Sequence, residues 1–238
     1  MHIKVVMFDL DGTLLPMDLD TFMQGYFGGL SKQMASHGYD AKEFIQGIWT
    51  GVSAMVKNTG EHTNEEVFFS VFEKVYGEAL PEVQRILDAY YETEFPKVKD
   101  FCGYDPAAAE TVRYLKEKGI DVVLATNPVF PAVATKNRIL WSGLMPTDFV
   151  WYTTYENASY CKPNPNYYRE ILQCLNVKPE ECIMVGNDVT EDMVAQTLGM
   201  QVFLLTDCLI NKENKDISVY PHGNFCDLMH FLSTQLEN

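Results

Sequence analysis

The sequence predicts an α/β protein with a three-layer parallel-sheet core, interrupted after its first strand by an all-helical insertion. Three observations lead there. Residues 3–8, IKVVMF, form a short β-branched run of the kind that suits a strand buried on both faces. From about Asp18 to Phe95 the apolar spacing is helical throughout, and beyond residue 101 strand-like and helix-like segments alternate.

Taken in order, the helical block divides into DLDTFMQGYFGGLSKQMASHG, DAKEFIQGIWTGVSAMVKN, TNEEVFFSVFEKVYG and PEVQRILDAYYETEF. Asp18 and Asp40 supply start signals, Thr63 with Glu66 three residues on reads as a capping box, and Pro81 suits a first helical turn. After FPKVKDFCGYD come the helix DPAAAETVRYLKEKG, the strand DVVLAT, the helix PAVATKNRILWSG, the strand DFVWYTT and the helix NPNYYREILQCLN. The strand CIMVG, the helix VTEDMVAQTLGM, the strand QVFLLT and a terminal helix FCDLMHFLSTQLE complete the chain. Strands joined by helical crossovers imply a parallel sheet, and the first strand belongs to it. The expected division is therefore a core of residues 1–16 and 101–238 around a helical module of residues 17–100.

Composition narrows the function classes. At 238 residues and 47% hydrophobic the chain can bury a large core. Its formal charge of −15, from 33 acids against 18 Lys and Arg, argues against nucleic acid and anionic membrane as partners, because both are bound through cations. No segment approaches the roughly 20 apolar residues that cross a bilayer, and the N-terminus lacks a signal-peptide pattern, so a cytoplasmic protein is expected. The six cysteines show no CxxC spacing and read as free packing thiols.

Chemistry gathers where strands end. IKVVMF runs into Asp9 and Asp11, VVLA into Thr126 and Asn127, FVWYTT into the loop holding Lys162, and IMV into Asp188 and Asp192. In a parallel sheet these carboxyl ends share one edge, where open α/β folds bind ligands. Several carboxylates in one crevice repel each other unless a cation sits among them, and hard oxygen ligands with open positions favour Mg²⁺. Taken singly, a DG turn, a TN helix cap or a Lys before Pro is ordinary loop chemistry. Four unrelated turns would have no reason to place complementary phosphate chemistry on one edge.

DLDGT, VLATN, CKPNP and GNDVTED, in that order, resemble the four motifs of the haloacid dehalogenase superfamily, in the branch whose phosphatases carry a helical cap after the first motif. The resemblance implies a Rossmann-like core and an Mg²⁺-dependent phosphohydrolase acting on a small phosphorylated metabolite. By it Asp9 is the nucleophile that forms an aspartyl-phosphate, and Asp11 is the acid and base. Thr126 and Asn127 hold phosphoryl oxygens, and Lys162 neutralises the transferring group. Mg²⁺ lies between Asp9, the Asp11 carbonyl and Asp188, while Asp192 holds the lysine from behind. Because Asn187 stands between Gly186 and Asp188, Asn187 as an oxygen donor and Glu191 in place of Asp192 remain open registers. Asp11 weighs against halide release, since a departing halide needs no acid. A sugar phosphomutase and a non-catalytic phosphate- or protein-binding module are the alternatives. The cap is expected to hinge near Pro16–Asp20 and Pro96–Asp105. Its aromatics Phe68, Phe69, Phe72, Tyr90 and Tyr91 are expected to be core; Tyr26 and Trp49 are candidates for a substrate pocket, with packing between helices the favoured reading.

Overall fold

The computed structural model describes residues 2–237. Its sheet is built from β1 (Val5–Phe8), β2 (Asp121–Leu124), β3 (Trp151–Tyr152), β4 (Cys182–Gly186), β5 (Gln201–Leu205) and β6 (His222–Gly223), ordered β3-β2-β1-β4-β5-β6. Every pairing is parallel. β1 is central, pairing Phe8 with Leu124 on one side and with Val185 on the other, which is why all four of its residues are buried.

Alternation along β1 divides the interior. Val6 and Phe8 face a layer formed by α5 (Pro106–Glu117), α6 (Ala132–Trp141) and α8 (Phe225–Leu236), which continues into the inserted helices. Val5 and Met7 face the opposite layer, with α7 (Pro165–Leu175) and its buried Tyr167 and Tyr168.

The insertion is wholly helical: α1 (Leu19–Ser36), α2 (Ala41–Val56), α3 (Asn64–Tyr76) and α4 (Leu80–Thr93). The start signals act as expected. Asp18 accepts from the Thr21 amide, Asp40 accepts from the Lys42 and Glu43 amides, and Thr63 with Glu66 forms a complete capping box.

Four local expectations are corrected. The segment read as the helix VTEDMVAQTLGM is a 3₁₀ turn over Met193–Leu198; Asp188 caps the Thr190 and Glu191 amides as an N-cap would, but the turn that follows is 3₁₀ and not α. FPKVKD, read only as chain connecting the insertion to the core, is a 3₁₀ helix over Phe95–Phe101, anchored by buried Phe95 and Val98. β3 keeps only two residues, as an edge strand paired on one side. The two-residue β6 has too little alternation to register in sequence.

The two chain crossings into the insertion run side by side, with the Gly103 amide donating to the Pro16 carbonyl at 2.7 Å. A second attachment lies at the N-terminus of α3. The Asn64 amide donates to Ala158 O at 2.9 Å, the Glu65 amide to Tyr155 O at 2.8 Å, and the fully buried Asn64 side chain donates to Pro128 O at 3.3 Å. Replacing Asn64 by Ala strips these buried side-chain bridges while leaving the Thr63 cap intact. Urea titration is expected to show about 1–3 kcal/mol of lost stability; an unchanged midpoint would mean that the bridges carry no net energy.

Candidate active site

β1 delivers Asp9 to the sheet edge, its amide bonded to Val185 O at 2.9 Å. The chain then turns tightly: Gly12 has φ +85°, and a Cβ there would overlap the Asn187 carboxamide. That contact is a designed approach, since the Thr13 hydroxyl donates to Asn187 Oδ1 at 3.0 Å and Asn187 Nδ2 donates to Cys208 O at 2.7 Å. Asn187 therefore ties the first loop to the fourth, its oxygen accepting from Thr13 while the residue borders the cavity.

Lys162 is the electrostatic centre. It is 1% exposed, and Nζ donates to Asp9 Oδ1 at 2.8 Å and to Asp192 Oδ1 at 2.6 Å. Burial alone would favour the neutral amine, yet the carboxylates of Asp192 and Asp9 hold it charged, well above the usual lysine range. Asp192 is itself braced, its Oδ2 accepting from the Asp188 amide at 2.9 Å. It also lies directly against Gly186, leaving no room for a side chain at that glycine. Asp192, and not Glu191, thus holds the lysine.

Thr126 follows β2 and is buried, its carbonyl accepting from the hydroxyls of Thr153 and Tyr167 at 2.6 and 2.8 Å. Its own hydroxyl lines the cavity without a hydrogen bond among the described residues. Asn127 accepts the Lys162 amide at 3.2 Å and donates to Glu191 Oε2 at 3.0 Å, so one of its two donors is occupied. Burial raises Glu191 to about 7; nearby Asp188 and Asp9 add to the rise, and Lys162 and the Asn127 bond oppose it.

Asp188 uses Oδ1 on two amides, leaving Oδ2 without a hydrogen bond among the described residues. Asp9, Asp11 and Asp188 all line one cavity of about 340 Å³. No group of three His, Cys, Asp or Glu side chains stands at metal-holding spacing among the described residues. Two carboxylates, a carbonyl and water are nevertheless a donor set that suits Mg²⁺, which keeps several waters and rarely occupies an all-protein cage.

One functional residue escaped the sequence reading. Arg138, 0% exposed on α6, donates Nη1 to Asp11 Oδ2 in a very close ion pair and lies 4.5 Å above the Phe130 ring centroid. Asp11 Oδ1 is buried with no partner, and burial raises the Asp11 carboxyl above its ordinary range against the pull of Arg138. The signal existed: Arg138 shares a helical face with buried Ala134 and Trp141, four residues before and three after. Among the cap aromatics, Phe72 and Tyr90 are core as expected, whereas Phe68, Phe69, Tyr91 and Tyr26 also line the cavity. Trp49 does both: its ring lies 5.4 Å from that of Phe27 on α1, and it borders the cavity while 51% exposed.

A family model described as haloacid dehalogenase-like hydrolase matches residues 3–195. The chain is 24% identical over 200 residues to pyrophosphatase PpaX of Anoxybacillus flavithermus, covering 84% of this chain and 81% of that protein. It is 28% identical to glyceraldehyde 3-phosphate phosphatase of Pyrococcus furiosus, covering 84% and 79%. In fold it is similar to a 2-haloacid dehalogenase from Pseudomonas syringae, with a TM-score of 0.65, 19% identity and coverage of 98% and 99%.

Two measurements test this geometry. Arg138→Met leaves the Asp11 carboxyl buried without its cation and is expected to cost about 3 kcal/mol, part of which Asp11→Asn restores in the double variant. A cycle with no coupling would dissolve the pair. Glu191 gives a pH signature in the metal-free protein. Below pH 4.5 its carboxyl is protonated both folded and unfolded; from there to about 7 only the folded form keeps the proton. The unfolded state then binds fewer protons, so stability falls as pH rises through this window, by at most roughly 3 kcal/mol. Glu191→Gln is expected to flatten that slope in thermal melts.

Proposed function

The chain belongs to the haloacid dehalogenase-like hydrolase family, and from that premise we propose that it is an Mg²⁺-dependent phosphohydrolase that works through an aspartyl-phosphate on Asp9. The observation that carries this reading is the pairing of Asp9 with the buried Lys162 at 2.8 Å, on the cavity that also holds Asp11, Thr126 and Asp188.

Lys162 fixes one oxygen of the Asp9 carboxylate, leaving Oδ2 with a single long contact of 3.5 Å from the Thr13 hydroxyl. A carboxylate so held is oriented without being consumed, and it attacks phosphorus to divide one difficult displacement into two easier ones. The unengaged Thr126 hydroxyl and the second Asn127 amide hydrogen are donors for the phosphoryl oxygens. Asp11, at the edge of the same cavity, protonates the departing alkoxide and then takes a proton from the water that cleaves the intermediate. Asp9, Asp188 and the Asp11 carbonyl would hold Mg²⁺, which when bound supplies positive charge against the phosphoryl oxygens. Residues 17–100 act as a cap whose closure excludes water from the first step, with the free chain at Cys102–Asp105 beside Pro16 as its hinge.

The relatives named pyrophosphatase and glyceraldehyde 3-phosphate phosphatase support hydrolysis of small phosphorylated compounds. A phosphomutase is the weaker reading, because among the described residues no cation of the cap lines the cavity to hold a second phosphate.

The test is phosphate release from 4-nitrophenyl phosphate with and without Mg²⁺. Asp9→Asn is expected to lose at least about 10³-fold in kcat, on the scale of removing a nucleophile. Activity that survives this substitution would refute covalent catalysis by Asp9.

A further inference from the structure

The cavity joins two unlike halves. Its floor is the acid-rich sheet edge described above. Its walls are apolar, contributed by Phe27, Trp49, Val52, Phe69 and Tyr91 from the inserted helices and by Tyr155 from the core. The one polar pair on these walls is self-contained, since the Tyr26 and Tyr91 hydroxyls bond each other at 2.8 Å.

The inserted helices bring almost no charge to the walls. Among the described residues lining the cavity, the inserted helices contribute a single charged side chain, the exposed Asp88. The basic residue in the lining is Lys212, from the loop after β5, which also borders a neighbouring cleft with Asp11, Asp18 and Asp207. Lys32, Lys42 and Lys57 are exposed and lie outside the lining. Against the inserted helices, a second phosphate or a carboxylate on the substrate would meet aromatic rings and Asp88 in place of a counterion, and Lys212 on the core side stands among acids.

Exposure tells the same story. Leu19, Trp49 and Val56 are 43%, 51% and 45% exposed, large values for apolar side chains, and all three border this cavity. Apolar surface left open to water around a pocket is the mark of a surface that a ligand covers.

We propose that the substrate is the phosphate monoester of an apolar, ring-bearing alcohol that carries no second anionic group, its ring seated against Trp49, Phe27 and Tyr91. This rests on the reading of Asp9 as a phosphoryl-transfer nucleophile. The volume of about 340 Å³ is at the small end of ligand pockets, which fits one ring system beside the phosphoryl group. The relatives' charged or strongly polar substrates do not share this chemistry, and at 24–28% identity their cap residues need not coincide.

The experiment compares kcat/KM for 2-phenylethyl phosphate, ethyl phosphate and phosphoglycolate with the Mg²⁺-loaded enzyme. The first two release alcohols of similar acidity, so their ratio reports binding of the ring and not leaving-group reactivity. Burial of a phenyl group is expected to favour 2-phenylethyl phosphate by about tenfold or more, with phosphoglycolate below ethyl phosphate. Val52→Arg is expected to reverse the order of 2-phenylethyl phosphate and phosphoglycolate, and Trp49→Ala, at a half-exposed position that tolerates truncation, to narrow the phenylethyl preference severalfold. Equal rates for the phenylethyl and ethyl esters, or a preference for phosphoglycolate, would overturn the substrate class while leaving the phosphohydrolase standing. Failure to release phosphate from any ester, from 4-nitrophenyl phosphate included, would instead overturn the premise.

Discussion

A buried ammonium governs this fold's chemistry. Lys162 has no water to solvate it, and a lone cation in that position would shed its proton. The carboxylates of Asp9 and Asp192 prevent this, and meeting them forces three loops into register: the one after β1, the one that carries Lys162 ahead of α7, and the one after β4. Much of the local backbone follows. Gly186 is required because Asp192 presses against it, and the Asp188 side chain fixes the turn that follows by accepting from the Thr190 and Glu191 amides. The same geometry that satisfies the lysine also points the remaining oxygens of Asp9 and Asp188 at one cavity.

A second buried cation ties that centre to the inserted helices. Arg138 reaches Asp11 with one nitrogen and covers Phe130 with its plane. Phe130 in turn packs edge-on against Tyr26, at 5.4 Å between ring centroids, and against Phe22 at 6.3 Å, both on α1. The arginine's Nε has no partner, so the guanidinium is not locked by a full set of bonds. One aromatic ring thus stands between the Arg138–Asp11 pair and α1.

The parallel core and the location of the acids were legible because each rests on short-range pattern. β1 and β4 are runs of buried apolar residues whose ends fall on Asp9 and Asp188, and the Asp18, Asp40 and Thr63 caps obey local hydrogen-bond rules. What sequence did not reveal depends on long-range encounter. Arg138 pairs with a residue 127 positions away, and Asn187 with Thr13 across 174. Trp49 could be singled out with Tyr26 as a pocket candidate, but spacing alone could not decide between pocket and helix packing. The 3₁₀ turn at Met193–Leu198 was missed for a different reason: over so short a run the apolar spacing does not separate a 3₁₀ from an α turn.

The apolar walls and the acidic floor also belong together energetically. With a formal charge of −15 the chain does not attract a phosphate ester from a distance, so affinity must arise after contact. Aromatic walls supply an attraction that is indifferent to charge, and by displacing water they lower the dielectric around Lys162 and the Thr126 hydroxyl. On the proposed reading each donor would then act more strongly on a phosphoryl group than it would in solvent. A polar cap would hold a charged substrate more tightly but would keep water beside Asp9 and Lys162, weakening the electrostatics that reading requires.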